Sequence, residues 1–212
     1  MQIRRFKLFG GIAVLTLLAG GVAHAGTQKV TSTSSGITVN IPIDVDSDSC
    51  FAAPNGAIAC TDYSAYFNFS GKESPGGGFT GQSVFEFDVV SGTSCNIGGT
   101  IVPGIASCTL AGSSEQGCEL QAVGGAEVER DNSTGDLLFK TLVATVCLDL
   151  SSGPPFNITA SGTETITGGT GKNAGATGTS TATTHGQVLT SDAAGHGIGW
   201  FEGTSTGTIT TP

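Results

Sequence analysis

The stretch Tyr63-Ser-Ala-Tyr-Phe-Asn-Phe-Ser70 alternates between apolar and polar residues, with Phe67 and Phe69 on the same side of the alternation. Successive side chains of a β-strand point to opposite faces, so a period of two predicts a half-buried strand. The same period recurs at 37–45 and at 85–89. The N-terminal half of the chain is therefore expected to be built from strands.

Similar segments extend along the rest of the chain and predict about eight strands. They lie at 37–45, 63–70, 85–89, 120–129, 137–150, 156–160, 174–190 and 196–210. No window after the first 25 residues shows the period of an amphipathic helix. A sheet of this many strands hides its edges by closing into a barrel or by packing as a sandwich, and composition does not choose between the two.

The first 25 residues have the pattern of a secretory signal peptide. Arg4, Arg5 and Lys7 precede an apolar run at 8–22, and Ala-His-Ala at 23–25 fits a cleavage site after Ala25. The sequence thus predicts a signal peptide at 1–25 and a single domain at 26–212. The expected location is extracellular or periplasmic, with no membrane span in the mature form.

The charge balance excludes several classes of partner. The chain has 8 Lys and Arg against 17 Asp and Glu, a net charge of −9, and three of those bases lie in the signal peptide. Nucleic-acid binding requires clustered Lys and Arg to contact phosphates, and anionic membranes attract polybasic segments. We therefore predict no nucleic-acid partner.

Six cysteines follow the signal peptide, and an even number in an exported chain predicts disulfide bonds. They are Cys50, Cys60, Cys95, Cys108, Cys118 and Cys147. Their spacing lacks the close pairs of a zinc site, so we predict no metal. Six cysteines allow 15 pairings, and the sequence does not choose among them. Cys50 with Cys60 is a plausible local pair. Cys95, Cys108 and Cys118 are expected to staple a glycine-rich loop region.

The segment 165–178 reads Thr-Ile-Thr-Gly-Gly-Thr-Gly-Lys-Asn-Ala-Gly-Ala-Thr-Gly. It resembles a hallmark of the allene oxide cyclase/dirigent-like β-barrel superfamily, in its bacterial exported branch. There a strand enters a Gly-Gly-Thr-Gly turn, followed by a basic residue, an aromatic residue and Ala-Gly-Ala-x-Gly. Asn173 departs from this pattern, because an aromatic residue is usual at its position. The segments 135–139 and 201–209 are also similar, and the resemblance covers 117–210 well.

This resemblance implies an all-β fold, an eight-stranded antiparallel β-barrel with a central cavity. Here the barrel would carry a long disulfide-stapled loop region and follow the signal peptide. The resemblance also implies a dimer or trimer, so a homo-oligomer is expected. Plant members guide cyclisation or radical coupling of small hydrophobic molecules in the cavity, but their catalytic residues match no positions here.

Three residues are candidates for chemistry in such a cavity. Glu86 and Asp88 share one face of a phenylalanine-rich strand, and Tyr66 lies on another predicted strand. For all three, the sequence does not decide whether the side chain faces the cavity. If these side chains face the interior, acids with a raised pKa could steer a cationic or quinone-like intermediate. If they face outward, they are ordinary solvated groups. No cofactor is predicted, and His185 and His196 are expected to be solvated loop residues.

The leading hypothesis is an exported β-barrel that binds a small hydrophobic molecule or serves as an accessory scaffold. The alternative is a dirigent- or cyclase-like catalyst that acts on a small molecule in the cavity. A third hypothesis is a surface or adhesion protein that uses its threonine-rich strand faces for contact. The sequence favours a protein without enzymatic activity over an enzyme, because it contains no nucleophile motif such as Gly-x-Ser-x-Gly.

Overall fold

The long alternating segments are β-strands in the computed structural model, which describes residues 26–42, 50–52, 58–60, 63–97, 100–149, 155–192 and 196–212. The strands are, in chain order, β1 (Gly26–Pro42), β2 (Cys50–Ala52), β3 (Ile58–Cys60), β4 (Tyr63–Ser74), β5 (Gly77–Val89), β6 (Ser91–Ile97), β7 (Thr100–Ile105), β8 (Ser107–Thr109), β9 (Gln116–Asp131), β10 (Leu137–Leu148), β11 (Phe156–Gly169), β12 (Thr177–Ser191) and β13 (Gly197–Thr211). The predicted signal peptide at 1–25 lies outside the described residues. Within those residues, no helix has the length and apolar character that crossing a membrane requires.

Eight of the strands close into a barrel in the order β1-β4-β5-β9-β10-β11-β12-β13. The ring closes because β13 pairs with β1 and β9 pairs with both β5 and β10. All neighbouring pairs in the ring are antiparallel. The predicted eight-stranded antiparallel barrel is therefore confirmed. The shorter strands form the hairpins β2–β3 and β6–β7, and β8 pairs with the beginning of β9.

The two ends of the barrel are built differently. The hairpin end carries the short turns after β4, β9 and β11, the start of β1 and the end of β13. The connection end carries the long links after β1 and β5 and the short links after β10 and β12. Each end holds its own apolar cluster. The cluster at the hairpin end is Val30, Leu138, Ile166, Ala176 and Ile209. The cluster at the connection end has the buried members Cys95, Ile105, Cys118, Phe156 and Val188.

Two disulfides attach the segment between β5 and β9 to the barrel wall. Cys95 of β6 is bonded to Cys118 of β9, and Cys108 of β8 is bonded to Cys147 of β10. The expected stapling of this region is confirmed, and both bridges reach strands of the barrel. Such bonds are consistent with an oxidising extracellular or periplasmic compartment. The β2–β3 register places Cys50 opposite Cys60, but their side chains lie outside the described residues.

The β1 strand is half-buried, as its alternation predicts, but its polar positions are the ones that face the interior. Thr38 is 1% exposed, whereas Ile37 is 51% and Ile41 38% exposed on the outer face. Aromatic rings from the neighbouring strands fill much of the interior. Only small side chains fit beside these rings. A Cβ on Gly81 of β5, for example, would lie 2.3 Å from the Phe69 ring.

Candidate functional site

A cavity of about 180 Å³ lies inside the barrel. Inward-facing side chains of all eight barrel strands line it. An apolar cavity of roughly 150 Å³ in another protein accommodates benzene. The barrel cavity therefore has room for a group about the size of one ring.

Four phenylalanines from three strands form a group at this cavity. Phe67 of β4 packs against Phe85 of β5 and Phe201 of β13, with ring centroids 5.9 and 5.3 Å apart. Phe69 of β4 contacts Phe201 edge to face at 6.2 Å. Edge-to-face pairs at these distances are favourable beyond the area that they bury. We call Phe67, Phe69, Phe85 and Phe201 the phenylalanine wall; its members belong to strands β4, β5 and β13, and all four line the cavity.

A group of ionisable side chains lies at another part of the same cavity. Lys140 Nζ of β10 lies 2.7 Å from Glu129 Oε1 and 3.3 Å from Glu127 Oε1, both on β9. The same ammonium lies 3.4 Å from Glu164 Oε2 on β11. The hydroxyl of Ser180 on β12 donates a 2.6 Å hydrogen bond to that oxygen. We call the lysine and its three glutamates the ion cluster.

The ion cluster is buried, and its members do not face the cavity equally. The side chains of Lys140, Glu127, Glu129 and Glu164 are between 7% and 13% exposed. All three glutamates line the cavity, whereas Lys140 is not among the lining residues. The cavity surface therefore presents carboxyl groups, and Lys140, the cation that partly balances them, is not part of that surface.

A β-bulge in β9 aims two of these glutamates inward. Consecutive residues of β5 pair with Ala122 and with the residue two positions further along β9, so Val123 is an extra residue. Gly125 follows with φ +138°, a conformation that favours glycine. An extra residue reverses which side chains of the strand face inward. Ala122 is buried before the bulge, and Glu127 and Glu129 face the cavity after it.

Burial and the neighbouring charges act in opposite directions on the protonation of the ion cluster. Desolvation raises the pKa of Glu127 to about 8, because it disfavours the carboxylate more than the nearby Lys140 stabilises it. Burial by itself lowers the pKa of Lys140, but the charges of Glu129, Glu127 and Glu164 outweigh burial and raise it. At neutral pH, the interior therefore holds an ammonium ion and, at Glu127, a carboxyl group that retains its proton.

The residues proposed from the sequence lie elsewhere. Glu86, Asp88 and Tyr66 are exposed on the outer face of the barrel, and none of them lines the cavity. Tyr66 is 46% exposed and pairs in register with Val39 and Val84, whose side chains share the outer face. The outward alternative for these three residues is therefore the one that the structure adopts.

The two histidines in the described residues are also on the surface. His185 Nε2 lies 3.5 Å from Glu202 Oε2, and His196 Nδ1 lies 2.8 Å from Asp192 Oδ2. All four side chains are more than half exposed, as expected for solvated residues. His185 lies within β12 and not in a loop.

Reasoning from the sequence missed the ion cluster, although two signals were present. Lys140 is the one charged residue of a mainly apolar strand, and Gly124-Gly125 interrupts the alternation of β9. A glycine inside a strand pattern is typical of a bulge, and a bulge exchanges the inner and outer positions beyond it. Together these signals could have identified Glu127 and Glu129 as interior residues.

Comparison of the chain with family models, with curated proteins and with solved structures finds no match. The resemblance to the allene oxide cyclase/dirigent-like superfamily thus stays a prediction from the glycine-rich segment.

Proposed function

We propose that the protein is an exported β-barrel that binds a small, mainly hydrophobic ligand in its central cavity. The observation that carries this proposal is the joint occurrence, in one cavity, of the phenylalanine wall and the carboxyl groups of the ion cluster. Ligand sites are typically lined by apolar and aromatic side chains, with a few placed polar groups that orient the ligand. The cavity has this composition.

The ion cluster supports the proposal because burying its charges is unfavourable for the stability of the fold. Taking charged groups out of water costs several kcal/mol per ion, and well-packed apolar residues in their place are often neutral or stabilising. Places where a sequence breaks such folding rules are the expected positions of functional sites. Burying Lys140 with three glutamates is understandable if their task is to meet a ligand.

A binding screen with a cavity-filling variant tests the proposal. Small neutral ring compounds, such as toluene, phenol, indole and benzyl alcohol, are screened for an increase in Tm and then by calorimetry. A ligand at 100 times its Kd stabilises the folded state by about 2.7 kcal/mol. Ala144 is buried and lines the cavity, whereas the adjacent Val143 is 62% exposed. Binding should be lost in Ala144→Leu and retained in Val143→Leu.

Two outcomes would count against the proposal. One is that no compound of the panel stabilises the protein. The other is that a compound binds equally well to the wild type and to the Ala144→Leu variant, which would place its site outside the cavity. A melting curve of the unliganded variant shows whether the added side chain is tolerated, since overpacking costs about 1–3 kcal/mol.

Catalysis on a small molecule in the same cavity is the second candidate function, and one observation favours it. Glu127 lines the cavity with its pKa raised to about 8, so its carboxyl group keeps a proton that it could donate at neutral pH. A compound found in the binding screen should then be converted, and Glu127→Gln should bind it without converting it. Unchanged recovery of every bound compound after incubation would exclude this role for that panel.

A further inference from the structure

The charge that faces the cavity is of one sign. Among the described residues that line it, Glu127, Glu129 and Glu164 are ionisable acids, and none is a lysine, arginine or histidine. One lysine contacts three carboxyl groups, so the ion cluster contains more acid than base. An anionic ligand would meet like charges in a medium of low dielectric constant, where repulsion is strong.

The phenylalanine wall also favours a positively charged ligand. The face of an aromatic ring carries the negative part of its quadrupole and attracts cations within about 6 Å of the ring centroid. Phe67, Phe69 and Phe201 line the cavity together with the carboxyl groups. Aromatic rings and carboxyl groups in one cavity offer an ammonium ion both a charge partner and an apolar surround.

Hydrogen-bonding capacity also remains at the carboxyl groups. The bonds of Lys140 run to Oε1 of Glu127, Oε1 of Glu129 and Oε2 of Glu164. A carboxylate can accept at both of its oxygens, with about four lone-pair positions in all. An ammonium has three donors and no acceptor, so it matches a surface that offers acceptors from three side chains.

We propose that the cavity selects a protonated amine whose apolar body is about the size of one ring, with the ammonium at the carboxyl groups of Glu127, Glu129 and Glu164. The apolar body lies against the phenylalanine wall. This inference rests on the proposed function, since it specifies the ligand of the same cavity. The volume of about 180 Å³ limits the buried part of the ligand to that size.

Proton release accompanies the binding of such a ligand. The charged or titratable groups around Glu127 are Glu129 on its own strand, Lys140 on β10 and Glu164 on β11, with Glu73 of β4 acting on Glu129. The carboxyl of Glu127, with its pKa at about 8, retains its proton at pH 7. An adjacent ammonium lowers that pKa, so binding expels the proton and strengthens as the pH rises from 6 to 8.

Three probes that differ mainly in charge test the inference: benzylamine, benzyl alcohol and benzoate. Calorimetry at pH 7 should show benzylamine binding at least about tenfold more tightly than benzyl alcohol, the equivalent of one charge-assisted hydrogen bond, and no binding of benzoate. Titrations in two buffers of different ionisation enthalpy should report proton release with benzylamine alone. The preference for benzylamine should weaken in both Glu127→Gln and Glu164→Gln.

Glu86→Gln is the matched control, because it removes a carboxylate from the outer face and should leave the preference unchanged. Melting curves show that each variant is folded, and retained binding of benzyl alcohol shows that its cavity is intact. Benzyl alcohol or benzoate binding as tightly as benzylamine would overturn the amine inference while the proposed function stands. If none of the three probes binds, the amine inference fails, and the neutral-ring panel decides separately on the proposed function.

Discussion

The hairpin end and the connection end of the barrel are closed in different ways. At the hairpin end, the glycine-rich turn at 170–176 packs on the start of β10 through hydrogen bonds in both directions between Thr170 and Leu137, each 2.9 Å long. Lys172 of this turn forms an ion pair with Asp131 at the end of β9. At the connection end, the segment from β6 to β8 is bonded covalently to β9 and β10.

One barrel thus combines a buried ion cluster near the hairpin end with disulfide restraints at the connection end. Lys140 lies two residues from Leu138, a member of the hairpin-end cluster, so the ion cluster is next to an end held by noncovalent contacts. The other end carries the two long connections, after β1 and after β5, whose ordering is entropically unfavourable. Disulfides offset part of that entropy by restricting the unfolded chain.

Removing the cation of the ion cluster should cause the largest loss of stability. Lys140→Met leaves three buried carboxyl groups without their partner, and breaking a buried pair in this way costs about 3–5 kcal/mol at pH 7. The loss should shrink at pH 5, because the carboxyl groups can then take up protons. Urea unfolding at both pH values measures it. Lys29→Met on the exposed outer face is the control, and equal stability of the two variants would contradict the prediction.

Removing a disulfide should loosen the connection end. Replacing Cys108 and Cys147 together by serine should cost about 2–4 kcal/mol. Replacing Cys95 and Cys118 should cost about 0.5 kcal/mol less on loop entropy, since the sequence separation is 23 and not 39. Hydrogen exchange should accelerate in β6–β8 and stay slow at the hairpin end. Uniform acceleration over both ends would show that they are not separate units.

The protonation of Glu127 should make stability depend on pH. Its pKa is 4.5 in the unfolded reference and about 8 in the folded protein, so the folded state binds this proton more tightly. The free energy of unfolding should therefore fall as the pH rises from about 4.5 to about 8. Glu127→Gln should flatten this slope and exceed the wild type by about 1–2 kcal/mol at pH 9. A wild-type slope of the opposite sign, or one unaffected by the substitution, would refute this account.

The exposed ion pair at the hairpin end should have the smallest effect. Lys172→Met should cost less than about 1 kcal/mol, because Lys172 is half exposed and such pairs are screened by solvent. The Lys172 ammonium holds the pKa of Asp131 below its usual range. This contribution is present at neutral pH and is lost as the pH falls through the lowered pKa, so wild type and variant should converge in acid. A loss comparable to that of Lys140→Met would mean that this turn governs the hairpin end.

Much of the architecture could be predicted because its signals are local. Period-two segments predicted the barrel strands to within a few residues at most of their ends. The Gly-Gly-Thr-Gly sequence at 168–171 does mark the end of β11. Gly171 has φ +55°, and a Cβ there would meet the Asp136 carboxylate, so this position favours glycine. The even number of cysteines also predicted disulfides, but not which residues pair.

The candidate site could not be predicted in the same way. Glu86 and Glu127 both alternate with apolar neighbours, yet the first is exposed and the second lines the cavity. The difference arises from one extra residue at Val123, which the alternation alone does not reveal. The inward polar face of β1 likewise depends on rings that come from β4, β5 and β13.

Amino-acid order alone thus specifies a chain of strands, turns and cysteines, because backbone preference and alternation act over a few neighbouring residues. Which face of each strand points inward, and hence which acids meet in the cavity, depends on closure of the barrel. Closure brings side chains from all eight strands into one volume, and they compete for that space whatever their distance along the chain. Lys140 and its three glutamates meet only once β9, β10 and β11 are side by side.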